Sequence, residues 1–298
     1  FQRIPRRRRS PVLAPLILIL YFLHPHRHPK APALAVQWRL RPLPLPEPER
    51  VVAVFERTAA APRGAVSPLN LRDWDERNKS FVRIAGAMPN VASMVMAGAD
   101  GQAETVSRQW VTAGIFDALG VTPIIGRSFN AEDDRTGRNA VVLNESFWRA
   151  RYGADPAVVG REVRLDGEMY TIRGVMPGEA ELIGRSQIWG LFGLADIPPR
   201  ARGAYFMQAV GRLKPGISRE AATAELEAIA TALATEYPDS NAGRGVHVES
   251  LQQAIIGADL RLSALLFLGV VGFVLLICCV NVANLLLARA SVRARELA

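Results

Sequence analysis

An α+β fold is predicted: a mixed, largely antiparallel sheet with packed helices, flanked by transmembrane helices. Three observations predict it. Short β-branched or alternating runs outnumber helical ones, tight turns join several of them, and Leu262 to Ala288 contains no charged side chain. About 20 apolar residues at a 1.5 Å rise cross a hydrocarbon core, so the last run is read as a transmembrane helix. Three spans follow: a basic N-terminus with a short apolar segment (1–38), a folded domain (39–258), and the membrane helix with its basic end (259–298).

In the first span, Val12 to Leu23 is apolar for only about a dozen residues, short for a full membrane helix. The basic start and Ala33-Leu34-Ala35 resemble a cleavable signal. Charge and prolines (Pro25, Pro29, Pro32) interrupt that region, so membrane anchoring is the better expectation. His24, His26 and His28 would share one side of an extended strand and could bind a metal. With prolines around them and no carboxylates nearby, an irregular basic linker is the reading adopted.

The domain opens on alternating prolines at RPLPLPEPER, which hold the chain extended, and then Val51 to Phe55 reads as the first strand. Ser67-Pro68 has the chemistry of a helix start, with a capping hydroxyl, and Leu69, Leu71, Trp74 and Phe81 follow at roughly helical spacing. Separate strands are expected at Arg83 to Met88 and Val91 to Met96, a turn at Gly98 to Gly101, and a strand at Ala103 to Val111. Ala140 to Leu143 reads as a buried strand before a helix carrying Phe147, Trp148 and Tyr152.

Asp166-Gly167 is a strong two-residue turn signal between alternating runs holding Val163 and Leu165 on one side and Tyr170, Ile172 and Val175 on the other. Met207 to Leu213 reads as a strand turned by Pro215-Gly216. Ser218 caps a helix with Leu226, Ile229, Leu233 and Tyr237 on one face, and Val246 to Leu251 is the last strand. The span 40–255 carries its own amphipathic elements and is expected to fold as a monomer without metal or nucleotide.

The net charge of +8 raises nucleic acid as a partner, and the placement of arginine argues against it. Arg3 and Arg6 to Arg9 precede the first apolar run, while Arg289, Arg293 and Arg295 follow the last. Basic flanks mark the cytoplasmic side of a membrane. Residues 40–260 are thereby expected outside. Between these ends charges are mixed: Glu132, Asp133 and Asp134 near Arg127, Arg135 and Arg138 read as a solvated loop, lacking the alternating spacing of a calcium loop.

No catalytic, cofactor or metal residue is assigned. The cysteines, Cys278 and Cys279, are adjacent within the membrane run, where helical neighbours cannot close an ordinary disulfide. His247 is the sole histidine beyond the N-terminal tract, too little for a hydrolase triad. There is neither a GxxxxGK[ST] loop nor a GxGxxG after a strand, so nucleotide binding through either is excluded. Trp148 with Tyr152, and Trp74 with Phe81, read as core packing. The chain is expected not to be an enzyme, and purified alone to hydrolyse no ATP.

Residues Asn139 to Pro177, NAVVLNESFWRARYGADPAVVGREVRLDGEMYTIRGVMP, resemble a signature stretch of the MacB-like periplasmic core domain. RPLPLPEPERVVAVFE, SPLNLRDWDERNKSF, VTAGIFDALGVTPIIGRSF and AVGRLKPGISREAATAEL resemble further segments of that family in the same order. VNVANLLLARASVRARELA is similar to the start of the membrane domain of FtsX-type permeases. The likeness covers residues 39 to 298 and is nearest to duplicated permease variants. The short N-terminal span and the end at Ala298 read as those of a fragment.

The resemblance implies a permease of an ABC-type transport or mechanotransmission complex in the bacterial inner membrane. A separate ATPase would bind on the cytoplasmic side, with the lipid bilayer, a second permease copy and a periplasmic adaptor as further partners, and no nucleic acid. The helix at Leu262 to Ala288 would carry the coupling, with Asn281 and Asn284 available to neighbouring helices. The alternative is a membrane-tethered module that regulates a partner such as a cell-wall hydrolase and transports nothing.

Overall fold

A computed structural model describes residues 43–97, 103–136, 139–195, 197–256 and 266–283. The 3-10 turn Pro48–Arg50 leads into β1 (Val51–Arg57), and α1 (Pro68–Arg77) follows. Then come β2 (Phe81–Ala97), β3 (Ala103–Val111), α2 (Ile115–Leu119), β4 (Ile125–Gly126), α3 (Ala131–Thr136), β5 (Ala140–Asn144) and α4 (Glu145–Tyr152). The hairpin β6 (Glu162–Leu165) and β7 (Glu168–Met176) precedes β8 (Ile188–Leu191) and β9 (Gln208–Leu213). The domain ends with α5 (Arg219–Glu236), α6 (Pro238–Asn241), β10 (Gly245–Ser250) and α7 (Leu251–Ile256). The apolar helix α8 spans Leu266–Ala283.

The ten strands of the described residues form one mixed sheet in the order β10-β1-β9-β2-β3-β8-β5-β7-β4, with β6 pairing both β2 and β7. Two pairings are parallel, β3 with β8 and β5 with β7, and the other pairings are antiparallel. The predicted α+β class, with a largely antiparallel sheet, is therefore what forms.

The sheet has two parts that share β2. The wing, β10-β1-β9-β2, is covered by α1 and α5. Its core holds Val52, Val54, Trp74, Phe81, Leu226 and Leu233. On α5 the buried positions Ala222, Leu226, Ala230 and Leu233 recur at three- and four-residue steps, with Ile229 and Tyr237 partly buried beside them. Burying a leucine in this way stabilises the fold by about 2 kcal/mol. Ser218 caps α5, its hydroxyl accepting the Ala221 N–H at 3.1 Å.

The second part is a ring of six strands: β2 pairs β3, β3 pairs β8, β8 pairs β5, β5 pairs β7, β7 pairs β6, and β6 returns to β2. Its last closure is narrow. Met96 faces Leu165, and Asp166 exchanges two bonds with Val95, donating its N–H to the carbonyl and accepting the Val95 N–H on its carboxylate, each at 2.8 Å. Asp166 can do this because the Asp-Gly turn holds it at φ 48 and Gly167 at φ 88, as the sequence signal requires. Inside the ring lie Met96, Val106, Leu143, Leu165, Ile172 and Ile188.

Several expectations are corrected. The strands expected at Arg83 to Met88 and Val91 to Met96 are one strand, β2, whose register shifts between Ala87 and Val91, so Pro89 sits in an irregularity and not at a strand end. Phe81 begins β2 and is not on α1. Ser67 does not cap α1 with its hydroxyl, which has no hydrogen-bond partner among the described residues. Its backbone N–H instead donates to Glu56 at 3.0 Å. The acidic triplet lies in the helix α3, and Asp133 is buried. The expected turn at Gly98 to Gly101 lies outside the described residues.

Candidate functional site

The chain enters and leaves the domain on neighbouring strands. β1 starts at Val51 and β10 ends at Ser250, antiparallel, with Val52 opposite Ser250. Paired residues across such strands sit about 5 Å apart, so the entering and leaving segments share one stem. The entering segment is fastened down: Arg50 Nε donates to the Leu213 carbonyl at 2.9 Å, and Arg212 Nη2 donates to the carbonyls of Pro46 at 3.0 Å and Leu119 at 2.5 Å. Burial, with the charge of Arg50 beside it, pulls the Arg212 guanidinium below its usual basicity. Gly120 makes the fastening possible, because a Cβ there would lie 2.1 Å from Arg212 Nη2.

A buried polar clasp joins the stem to the segment that links ring and wing. Glu56 on β1 accepts the Ser67 N–H and the Asn70 amide at 2.9 Å, and Arg244 approaches its other oxygen at 3.4 Å. Asn70 and Asn241 exchange amide bonds at 2.9 and 3.2 Å. Arg202, in the 3-10 turn Pro199–Gly203, donates to Asn70 at 2.8 Å and to Asp73 at 2.6 Å, and lies over the Tyr237 ring. Burial raises the Glu56 pKa, against the bonds from Ser67 and Asn70 that favour its charged form.

The ring is open at one mouth, a cleft of about 910 Å³. Its wall includes Arg108 and Trp110 on β3, Tyr170 on β7, and Met88, Met94 and Phe192. The Arg108 guanidinium stacks 3.5 Å above the Trp110 ring and donates to the Tyr170 hydroxyl at 3.3 Å. Gly190 leaves room for this stack, since a Cβ there would lie 3.0 Å from the Trp110 ring and 3.1 Å from Arg108 Cδ.

Residues 40–229 match the family described as MacB-like periplasmic core domain. The chain belongs to the MacB-like periplasmic core domain family. Among solved structures, a permease-protein domain from Porphyromonas gingivalis matches at 17% identity and a TM-score of 0.51, covering 69% of this chain and 92% of that one. The periplasmic region of MacB from Actinobacillus actinomycetemcomitans matches at 12% identity and a TM-score of 0.48, over 68% and 89%. The extracellular domain of the noncanonic ABC-type transporter YknZ from Gram-positive bacteria matches at 13% and 0.46, over 66% and 99%. No curated protein matches the sequence.

The chain thus carries a MacB-like periplasmic core domain, with a fold shared with the Porphyromonas gingivalis permease-protein domain. Among the described residues one helix, α8, is long and apolar enough to cross a membrane, and none of its span is buried against protein. Asn281, Cys278 and Cys279 lie on it. Asn284, the tract His24 to His28 and the flanking arginine clusters lie outside the described residues.

His247 stands on β10, its Nε2 at 3.6 Å from Glu249 and its ring 6.2 Å from that of Phe55. Trp148 and Trp74 are core residues, and Tyr152 packs edge-on against Phe147. Reading Asp133 as solvated misses its partners: Arg127 Nη2 donates to it at 2.8 Å, and the Asn130 N–H at 3.0 Å. Burial acts to raise its pKa, and these bonds with Arg127 and Arg173 outweigh that and hold it below the usual carboxylate range. Among the described residues, no group of three or more His, Cys, Asp or Glu is placed to hold a metal. Sequence reasoning missed Arg108, Arg202 and Arg212, because nothing in one arginine's neighbours along the chain announces that it will be buried.

Proposed function

We propose that this chain is a permease component of an inner-membrane ABC-type complex, and that its domain couples a separate cytoplasmic ATPase to substrate export. The observation that supports this most is the stem, where entering and leaving segments meet at Val52 and Ser250 and the clasp continues to the linker between the two halves of the sheet. A shift between the membrane legs would reach the ring through packed, hydrogen-bonded strands with little slack. On this reading the chain is not an enzyme, and it carries no glycine-rich loop for nucleotide phosphates.

The test is export by the chain reconstituted with the ATPase that co-purifies with it from native membranes. A flexible Gly-Ser insertion after Ile256 is expected to abolish export while ATP hydrolysis by the complex continues. Export that survives the insertion unchanged would refute coupling through the stem. ATP turnover by the purified chain alone would refute the permease assignment. The extracytoplasmic orientation is checked with Asp239→Cys, in a background where Cys278 and Cys279 are alanine. It should react with a membrane-impermeant thiol reagent in intact spheroplasts, and labelling only after lysis would reverse the orientation.

A further inference from the structure

The mouth of the six-strand ring holds a cation that the fold leaves poorly paired. Arg108 is 7% exposed, and the Tyr170 hydroxyl is the sole hydrogen-bond acceptor its guanidinium has among the described residues. Its Nε is buried with no partner among the described residues. A guanidinium has five N–H donors, and withdrawing them from water without acceptors is costly. A merely structural wall does not need a charge here, since well-packed hydrophobic groups often serve better than buried charges.

Two carboxylates stand nearby, and their state decides the sign of the ligand. Asp166 and Glu168 are both exposed on the hairpin turn. Asp166 accepts the Val95 N–H at 2.8 Å, and Glu168 accepts the Tyr170 hydroxyl at 3.2 Å, so neither touches Arg108. Exposed acids are hydrated and screened, whereas the buried guanidinium is not, so a ligand gains most at Arg108. The same acids at the rim disfavour a second negative charge. Asp166, Glu168 and Asn139 line part of the cleft, and Met88, Met94, Trp110 and Phe192 are its apolar and aromatic part. The volume, about 910 Å³, is in the range of small-molecule sites, and the mouths of barrels are a common place for them.

We propose that the ring mouth binds an amphiphilic monocarboxylate, its carboxylate on Arg108 and its apolar body against Met88, Met94 and Phe192. Gly190 serves this site by admitting the Arg108–Trp110 stack, and Tyr170 fixes one edge of the guanidinium through Nη1, leaving Nη2 to the ligand.

The test uses the full chain in nanodiscs of zwitterionic lipid, with 8-bromooctanoate as the probe, because a bromine beside an indole quenches its fluorescence. Saturable quenching is expected in the wild type and lost in Trp110→Phe, which separates the mouth from probe dissolved in lipid. Arg108→Gln should weaken binding by about tenfold, the loss expected for a charge-assisted hydrogen-bonded pair. Glu168→Gln, at the exposed rim where folding is not at stake, should tighten it a few-fold. The proposal is overturned if Arg108→Gln binds within twofold of wild type, if Glu168→Gln weakens binding, or if Trp110→Phe is quenched as before. Equal binding of 8-bromooctyltrimethylammonium would show apolar burial alone, and equal competition by inorganic phosphate would show a general anion site. Either result also overturns it.

Discussion

In the wing, a helix eighteen residues long lies on an antiparallel sheet, and Glu56, Asn70, Asn241, Arg202 and Asp73 form one buried hydrogen-bonded cluster, although Arg212 Nε is buried with no partner among the described residues. In the ring, strands close on themselves around an apolar core without such a helix, and Arg108 is buried at the cleft with one hydrogen-bond acceptor among the described residues. Both are built on β2, whose first half pairs β9 and whose second half pairs β3 and touches β6. The difference teaches where each part can do work. The wing gathers buried polar side chains into one cluster beside the stem, whereas the ring places a buried arginine at an open cleft.

The largest effect expected from breaking this contrast is in the wing's clasp. Asp73→Ala leaves Arg202 buried with only the Asn70 oxygen as acceptor, and stripping one partner from a buried ion pair costs about 3 kcal/mol. Urea denaturation of the full chain in mild detergent should show that loss. A change below about 1 kcal/mol would mean that water already solvates the clasp. Leu165→Ala should cost a similar or slightly smaller amount, about 2–3 kcal/mol, by opening a void where the ring closes on Met96. Hydrogen exchange should then rise first at Val95 and Met96, while β1 and β10 stay protected.

Gly190→Val is expected to cost less, about 1–3 kcal/mol, as its side chain forces the Trp110 ring and Arg108 apart. Its tryptophan emission should shift, which a distant repacking would not produce. The smallest effects are in pH dependence, and they have opposite signs in the two parts. Glu56 has a raised pKa in the folded wing, so its contribution is most favourable at low pH. That contribution is lost as pH rises from the ordinary carboxylate range through the raised value. Asp133, beside the ring strand β7, is held low, so its contribution is present at neutral pH and lost as pH falls through the ordinary range to the lowered value. Glu56→Gln should flatten the first slope and Asp133→Asn the second, read from urea midpoints across pH. Slopes of the same sign would break the comparison.

Much of this architecture could be read along the chain because the signals are local. Asp166-Gly167 demands a tight turn whatever surrounds it, the α5 spacing selects one buried face, and an uncharged run such as that of α8 has few environments open to it. The strand β8 and the short helix α2 escaped notice because mainly apolar runs of only four and five residues fit strand or helix equally well. Likewise, the continuity of β2 through Pro89 was hidden: proline normally ends a central strand, and only the partners on either side of Ala87 and Val91 show that the chain runs on.

By itself the sequence determined the class of fold, the order of most of its strands and helices, the apolar terminal helix and the family. All of these depend on residue type and spacing within short windows. Tertiary structure alone decided that the strands form a wing and a ring, that entry and exit share a stem, and which arginines are buried. Val52 and Ser250 become neighbours, as do Arg202 and Asp73, only when distant strands pair. A charge's solvation is set by what folds over it, so Arg108 and the exposed arginines look alike until the chain has closed.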